Sequence, residues 1–330
     1  MQRYSKFLNR RSFSLSLHFQ NNMIKESTKG HIALLVANII FGFSAPFSKL
    51  LFNEFITHSQ LLIIRIIGGA LLFWIASLFI PKEQISKKDF LLILIAAFVG
   101  VIFNQGLYLA GLARTTPIHC GLLQTLGPIY TLTLATLFLK EPLSFKKVLG
   151  VVVGMIGASI LIFSEFKTQV GTYQHSIWGD IMILLSGVSF ALYLTLFMSI
   201  IKKYRAITLM KWMFLIAAII LTPFYVSDLK SFVSIDFNDS EHFLKFLIYI
   251  GYVVILGTFV GYILMPYAQK RIRPTVISMY IYLQPVIMTV VSIYWGLGTF
   301  GVDKIFATLL IFAGVYIVTR SKKRGNYLIK

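Results

Sequence analysis

Runs of eighteen or more mostly apolar residues recur along the chain from His31 to Arg320. Each is long enough to cross the roughly 30 Å hydrocarbon layer of a bilayer as a helix. Inside lipid the backbone must satisfy its own hydrogen bonds, which leaves helices and closed barrels as the spanning structures. The runs are continuous, whereas barrel strands alternate apolar and polar residues. With 57% hydrophobic and 13% charged residues, against about a quarter charged in soluble domains, the chain reads as an all-α polytopic membrane protein.

Ten spans are expected, at about 31–52, 59–80, 90–112, 117–139, 146–164, 177–201, 208–227, 244–268, 274–296 and 303–320. The net charge of +19 sorts by side. Six Lys/Arg precede the first span, alternate connections 81–89, 140–147, 202–211 and 269–273 carry three, three, four and three, and the segment from Arg320 carries five. The opposite side has only Arg114, Lys167, Lys230 and Lys245. By the positive-inside bias both termini are cytoplasmic. The basic charge is therefore an orientation signal, and no nucleic-acid partner is expected. The localisation expected is the cell membrane, of bacterial inner-membrane type, with the lipid bilayer as the surrounding partner. Cys120 is the only cysteine, so an intrachain disulfide and a Cys-based metal site are excluded. Residues 1–22 hold no Asp or Glu and lack the apolar core of a secretory signal; initiation at Met23 is the preferred reading, and a transit-like extension the other.

Two stretches, "LQTLGPIYT" (123–131) and "YIYLQPVIMT" (280–289), each place a proline inside an apolar run. Shifting the chain against itself by 157 residues superposes Pro128 on Pro285, Gly100 on Gly257, Arg114 on Arg271, Pro117 on Pro274, Lys147 on Lys304 and Gly157 on Gly314. Prolines and glycines in one register mark special backbone positions, so the chain reads as a duplicated five-helix unit. The expected divisions are a basic tail 1–30, a first repeat 31–164, a linker 165–176, a second repeat 177–320 and a basic tail 321–330.

An odd number of spans per unit makes the second copy enter the membrane from the other side. Matched connections have reversed their charge accordingly. "LARTTP" (112–117) carries one basic residue and "QKRIRP" (269–274) three, while "LKEPLSFKK" (139–147) carries three and "GLGTFGVDK" (296–304) one. The fold class expected is thus ten transmembrane helices as two inverted five-helix repeats, an architecture that recurs in secondary transporters with binding sites near the midplane. Pro128 and Pro285 are expected to kink spans four and nine, to free a backbone acceptor and to act as helix hinges at the cavity, or else merely to aid packing.

The chain resembles the EamA-like group of the drug/metabolite transporter superfamily over most of residues 31–320. The resemblance rests on "FGFSAPFSKLL" (41–51), "LLIIRIIGGALL" (61–72), "FLKEPLS" (138–144), "VLGVVVGMIGASILI" (148–162) and "LGTFVGYIL" (256–264). One departure is that Gly298 stands where the first copy has Glu141. The resemblance implies two inverted bundles, a central solute cavity and movement of small organic metabolites, often outward.

Polar and aromatic side chains at three- and four-residue spacing supply the candidate substrate-binding set. Span one offers Asn38 and Phe41, span two Arg65, and span three Asn104, Gln105 and Tyr108. Spans four and six add Gln124, Phe190 and Tyr193; spans eight and nine add Tyr262, Tyr280 and Gln284. Amides and phenols facing a cavity could orient a solute while rings contact its apolar part; interhelical hydrogen bonding is the alternative. Arg65 should bind carbonyls, attract an anionic group or snorkel, and Lys49 should snorkel. Gly150, Gly154 and Gly157 form a small-residue stripe read as a packing or homodimer contact. Trp178, Trp212 and Trp295 lie near span ends and Trp74 does not.

Deep Asp and Glu are missing from the spans, which disfavours a carboxylate proton carrier. No phosphate-cradling Gly-Lys motif is present, and no catalytic residue, metal or cofactor is assigned. The leading expectation is an alternating-access secondary transporter, not an enzyme, that exports a small-molecule substrate of amino-acid-like or drug-like type. The rivals are a lipid-modifying membrane enzyme and a non-transporting receptor or assembly subunit.

Overall fold

The computed structural model describes the backbone of residues 2–115, 117–168, 176–233, 240–294 and 301–321. Side chains at 2–24, 117–119, 122, 161–162, 164–168, 233, 288–289 and 291–294 lie outside the description. Trp295 and Gly298 lie outside the described residues, and of the basic tail before Lys25 only the backbone is described.

The described residues form helices and no strands. They run α1 Gln2–Glu54, α2 His58–Ser77, α3 Lys87–Ala97, α4 Asn104–Arg114, α5 Pro117–Gln124, α6 Gly127–Phe138, α7 Phe145–Thr168 and α8 Ile177–Leu196. Then follow α9 Met198–Lys203, α10 Ala206–Leu221, α11 Val226–Val233, α12 Ser240–Gly251, α13 Gly261–Gln269, α14 Pro274–Met279, α15 Leu283–Tyr294 and α16 Val302–Thr319. Among the described residues, seven helical stretches are long and apolar enough to cross a membrane, and Gly127–Phe138 and Pro274–Ile287 are shorter apolar helices. Outward-facing side chains are themselves apolar: Leu78, Phe79, Leu137, Ile219, Leu309 and Phe312 are all exposed. This surface is suited to hydrocarbon, so the chain is a multi-pass membrane protein.

Since lipid tails are as apolar as leucine, helix association here depends on close packing. Glycines allow it. A Cβ on Gly314 would lie 2.6 Å from the Gly150 carbonyl oxygen, and one on Gly154 would lie 2.6 Å from the Tyr282 ring. The stripe at Gly150, Gly154 and Gly157 therefore faces α16 and Tyr282 of the same chain, and any contact between copies would need another face of α7. In the core, Phe73 packs on Phe214 and Phe259 at centroid distances of 5.1 and 5.0 Å.

Helix partners come in matching sets. α1 packs on α13 and α15, α8 packs on α4 and α6, and α2 with α10 and α7 with α16 form pairs. Two stretches are π-helical, Phe98–Phe103 and Tyr252–Val260; they contain Gly100 and Gly257, the glycines that the repeat superposes. Nothing in the apolar pattern announced them.

The prolines do not kink a continuous helix. The chain breaks before each of them: α5 ends at Gln124 and α6 begins at Gly127, with Pro128 in its first turn. In the second half a 3-10 turn, Tyr280–Tyr282, precedes α15 and Pro285. A proline in a first turn forfeits no helical hydrogen bond, because the N–H there has no partner within the helix. Ile129 N–H bonds the Leu126 carbonyl, and the Thr125 carbonyl instead accepts the Tyr282 hydroxyl at 2.9 Å. Each break thus meets the other across the bundle.

The basic segments gather at one end. Arg271 pairs with Glu26 at 2.7 Å, Lys203 with Asp89, and Arg205 N–H with Glu83. The hydrogen bond from Lys203 to the Asp89 carboxylate holds its ammonium above the usual lysine range. Arg273 donates to the Val318 and Ser321 carbonyls, so both ends of the described bundle meet beside 271–273. Trp74 also belongs near this end: it packs edge-on against Trp212 at 5.5 Å, with the Lys211 ammonium 4.9 Å from its ring centroid. The straight count along span two missed this placement. Lys49 does not snorkel either; its ammonium caps the end of α4, donating to Leu112 and Thr115 carbonyls at 3.0 and 3.3 Å, where a cation meets the negative end of the helix dipole.

Candidate functional site

Between these helices lies a chamber with about 1090 Å³ of space free of atoms, part of it continuous with the surroundings. α1 contributes Asn38, Phe41 and Ser44, and α2 contributes Arg65. Gly100 in the first π-helical stretch leads into Asn104, Gln105 and Tyr108 of α4. The broken α5–α6 run supplies Gln124 and Gly127, and α8 supplies Ser186, Gly187, Phe190 and Tyr193. From the far side come Tyr262, Met265 and Pro266 of α13, with Ile281 and Gln284 at the second break. A smaller pocket continues past Tyr108 and Gln124 towards Cys120 and Pro285.

Hydrogen bonds fix some of these side chains. Gln284 Nε2 donates to Asn38 Oδ1 at 3.1 Å, and Asn38 Nδ2 donates to the Leu34 carbonyl at 2.9 Å. Asn104 Nδ2 donates to the Ser186 carbonyl at 3.1 Å, and the Ser186 hydroxyl donates back to the Asn104 carbonyl at 3.0 Å. Gln124 has a poorer partner, the Cys120 sulfur at 3.3 Å, which is a weak acceptor. Phe41 meets Tyr262 edge to face at 6.4 Å, and Tyr262 meets Phe214 the same way at 5.2 Å. A Cβ on Gly261 would stand 2.6 Å from the Phe41 ring, so the ring sits where only glycine leaves room.

Arg65 turns inward and does not snorkel. It is 5% exposed, and its Nε donates to Thr258 Oγ1 at 3.0 Å. The π-helical stretch makes this contact available: Thr258 Oγ1 donates in turn to the carbonyl of Val253, five residues back.

Eleven of the twelve candidate residues drawn from the sequence line this one chamber. Tyr280 does not; its hydroxyl pairs with His31 Nδ1 at 2.7 Å, towards the basic end. Sequence spacing put Ser44 and Ser186 on the right helix faces without assigning them to the site. Gly187, Met265, Pro266 and Ile281 carried no signal, because an apolar or small residue facing a cavity looks like one facing a neighbouring helix.

A multi-pass helical bundle with an apolar exterior and an amphipathic interior chamber defines a protein of the membrane-transporter class. The comparisons agree. The chain belongs to the EamA-like transporter family, whose pattern matches residues 28–163 and again 177–320. An uncharacterized transporter of Archaeoglobus fulgidus is 27% identical over 60% of this chain and 66% of its own length. The uncharacterized transporter YyaM of Bacillus subtilis is 24% identical over 72% of this chain and 75% of its own. A WAT1-related protein of Arabidopsis thaliana is 22% identical over 88% and 90%. A solved crystal structure superposes with a TM-score of 0.66 at 15% identity, covering 89% of this chain and 97% of that one, a likeness of fold alone.

Proposed function

We propose that the chain is a secondary transporter that moves a small organic metabolite out across the cytoplasmic membrane by alternating access. The observation that carries this reading is the chamber itself, walled by amides, phenols and rings from both halves of the chain. Ten spans as two inverted five-helix units account for the matched helix pairs. Arg114 and Arg271, which the 157-residue shift pairs, each pack against a glycine: a Cβ on Gly30 would stand 3.0 Å from Arg271 Cβ, and one on Gly179 the same distance from Arg114 Cβ. In this arrangement the two breaks at Pro128 and Pro285 serve as hinges, joined through the Tyr282 hydroxyl. Both termini lie in the cytoplasm, which the gathering of basic segments at one end supports. The outward direction rests on the family resemblance. On this reading the chain acts as a transporter, not as an enzyme.

Topology gives the first test. Single cysteines placed at Lys87, Lys146 and Arg205 in a Cys120→Ser background should be shielded from a membrane-impermeant thiol reagent in intact cells. Cysteines at Glu54, Lys230 and Val302 should react. Opposite labelling of 87 and 205 would break the inverted arrangement. Transport gives the second. In proteoliposomes, Gln124→Ala and Gln284→Ala should each lower solute flux about tenfold, the effect of losing roughly 1.4 kcal/mol of binding to the moving solute. Normal flux of every metabolite class in both variants would remove these residues from the site.

A further inference from the structure

The chamber carries a charge that its own walls do not balance. Arg65 is its single ionised lining side chain, and no Asp or Glu stands among the described lining residues. Its Nε is occupied by Thr258; no acidic partner reaches its two terminal nitrogens among the described residues. A buried, unpaired guanidinium is costly in a membrane interior. A bound anion offsets that cost.

Other unpaired groups converge there. Gln105 is 2% exposed, and among the described residues neither its amide nitrogen nor its amide oxygen has a hydrogen-bond partner. The buried Tyr193 hydroxyl is also without one. The Tyr262 hydroxyl lies beside the Gln105 amide and within electrostatic reach of Arg65, but it does not meet the amide in hydrogen-bond geometry. The rings of Phe41 and Phe190 line the same chamber, a surface for an apolar body. Cavity, cation, orphaned donors and rings therefore describe one ligand.

Resting on the transporter reading above, we infer that the cargo is a small amphipathic organic anion. Its carboxylate is held by the terminal nitrogens of Arg65 and by the Gln105 amide, and its apolar or aromatic body lies against Phe41 and Phe190. A guanidinium fork matches a carboxylate in both geometry and charge. A phosphate monoester would leave surplus negative charge buried. A free ammonium would meet no carboxylate on the walls, and a cationic solute would be repelled by Arg65. The anion also fits the lack of deep carboxylates: a negative solute leaving an inside-negative cell runs down the membrane potential without a coupled proton.

The test uses the purified full-length chain in detergent, with thermal unfolding recorded against phenylacetate, phenylacetamide, phenethylamine and phenyl phosphate. Phenylacetate should raise the midpoint saturably, and the amide, amine and phosphate should bind about tenfold more weakly or worse. This comparison needs no variant. Arg65→Gln should weaken phenylacetate about tenfold and abolish the preference for the acid over phenylacetamide, and Gln105→Glu, which installs an internal counter-ion, should do the same. The inference is overturned if the amide or amine binds as tightly as the acid, if phenyl phosphate binds more tightly, if the acid gives no stabilisation, or if Arg65→Gln binds it normally. Proteoliposomes separate the two readings. Flux of phenethylamine without flux of phenylacetate overturns the cargo class and leaves transport standing; absence of flux for every solute class overturns both.

Discussion

Glu141→Ala should destabilise the folded chain by about 3–5 kcal/mol, the usual cost of stranding one partner of a buried ion pair. Lys147 is fully buried and its ammonium sits 2.7 Å from Glu141 Oε2. The same oxygen accepts the Thr275 hydroxyl at 3.0 Å, so one carboxylate ties the end of α6 to the start of both α7 and α14. The backbone aims it. Lys140 adopts φ 50°, a left-handed conformation that ends α6, and Glu141 N–H closes back on the Ala135 carbonyl at 3.1 Å. Removing the carboxylate leaves a buried ammonium with no compensation, whereas Glu141→Gln with Lys147→Met removes both charges and should recover most of the loss. Denaturant unfolding in mixed micelles measures both. If the single variant costs no more than the double, the pair does not hold these helices together.

Gly314→Ala should cost about 3 kcal/mol, the upper end of overpacking penalties. Its added methyl would lie 2.6 Å from the Gly150 carbonyl oxygen, 2.6 Å from the Gly154 nitrogen and 2.8 Å from the Gly154 Cα. All three obstructing atoms are backbone, so no side chain can swing aside and α7 and α16 must separate. Gly251→Ala is the control, because nothing lies within 4 Å of its added methyl; alanine there should be neutral or slightly stabilising through helix propensity. The yield of monodisperse protein and the unfolding midpoint should fall for Gly314→Ala alone. An equal fall at both positions, or a fall at neither, would mean that the α7–α16 contact does not decide stability.

Much of the candidate site was legible because polar residues are rare in these helices. A lone amide or arginine in an apolar run has few places to go in lipid, so Asn38, Arg65, Gln105, Gln124 and Gln284 could be picked out by type, and they do share one chamber. Tyr280 was misplaced by the same logic. Tyrosine is amphipathic, and three-residue spacing cannot tell a cavity wall from a contact with His31 near the helix end. The glycine stripe was legible as a close contact but not as to its partner; Gly314 and Tyr282, more than a hundred residues away, had to be in place first.

By itself the sequence determined the solvent and the helical character of the spans. Continuous apolar runs leave the backbone no partner but its own, which makes them helices in lipid, and the uneven lysines and arginines sort the connections into two groups. Only the tertiary structure decided which way each helix faces. It turned Arg65 inward on Thr258, wound Phe98–Phe103 and Tyr252–Val260 as π-helices, and placed each break ahead of its proline. These outcomes depend on atoms a few ångströms apart in space and scores of residues apart along the chain, and local pattern holds no record of such neighbours.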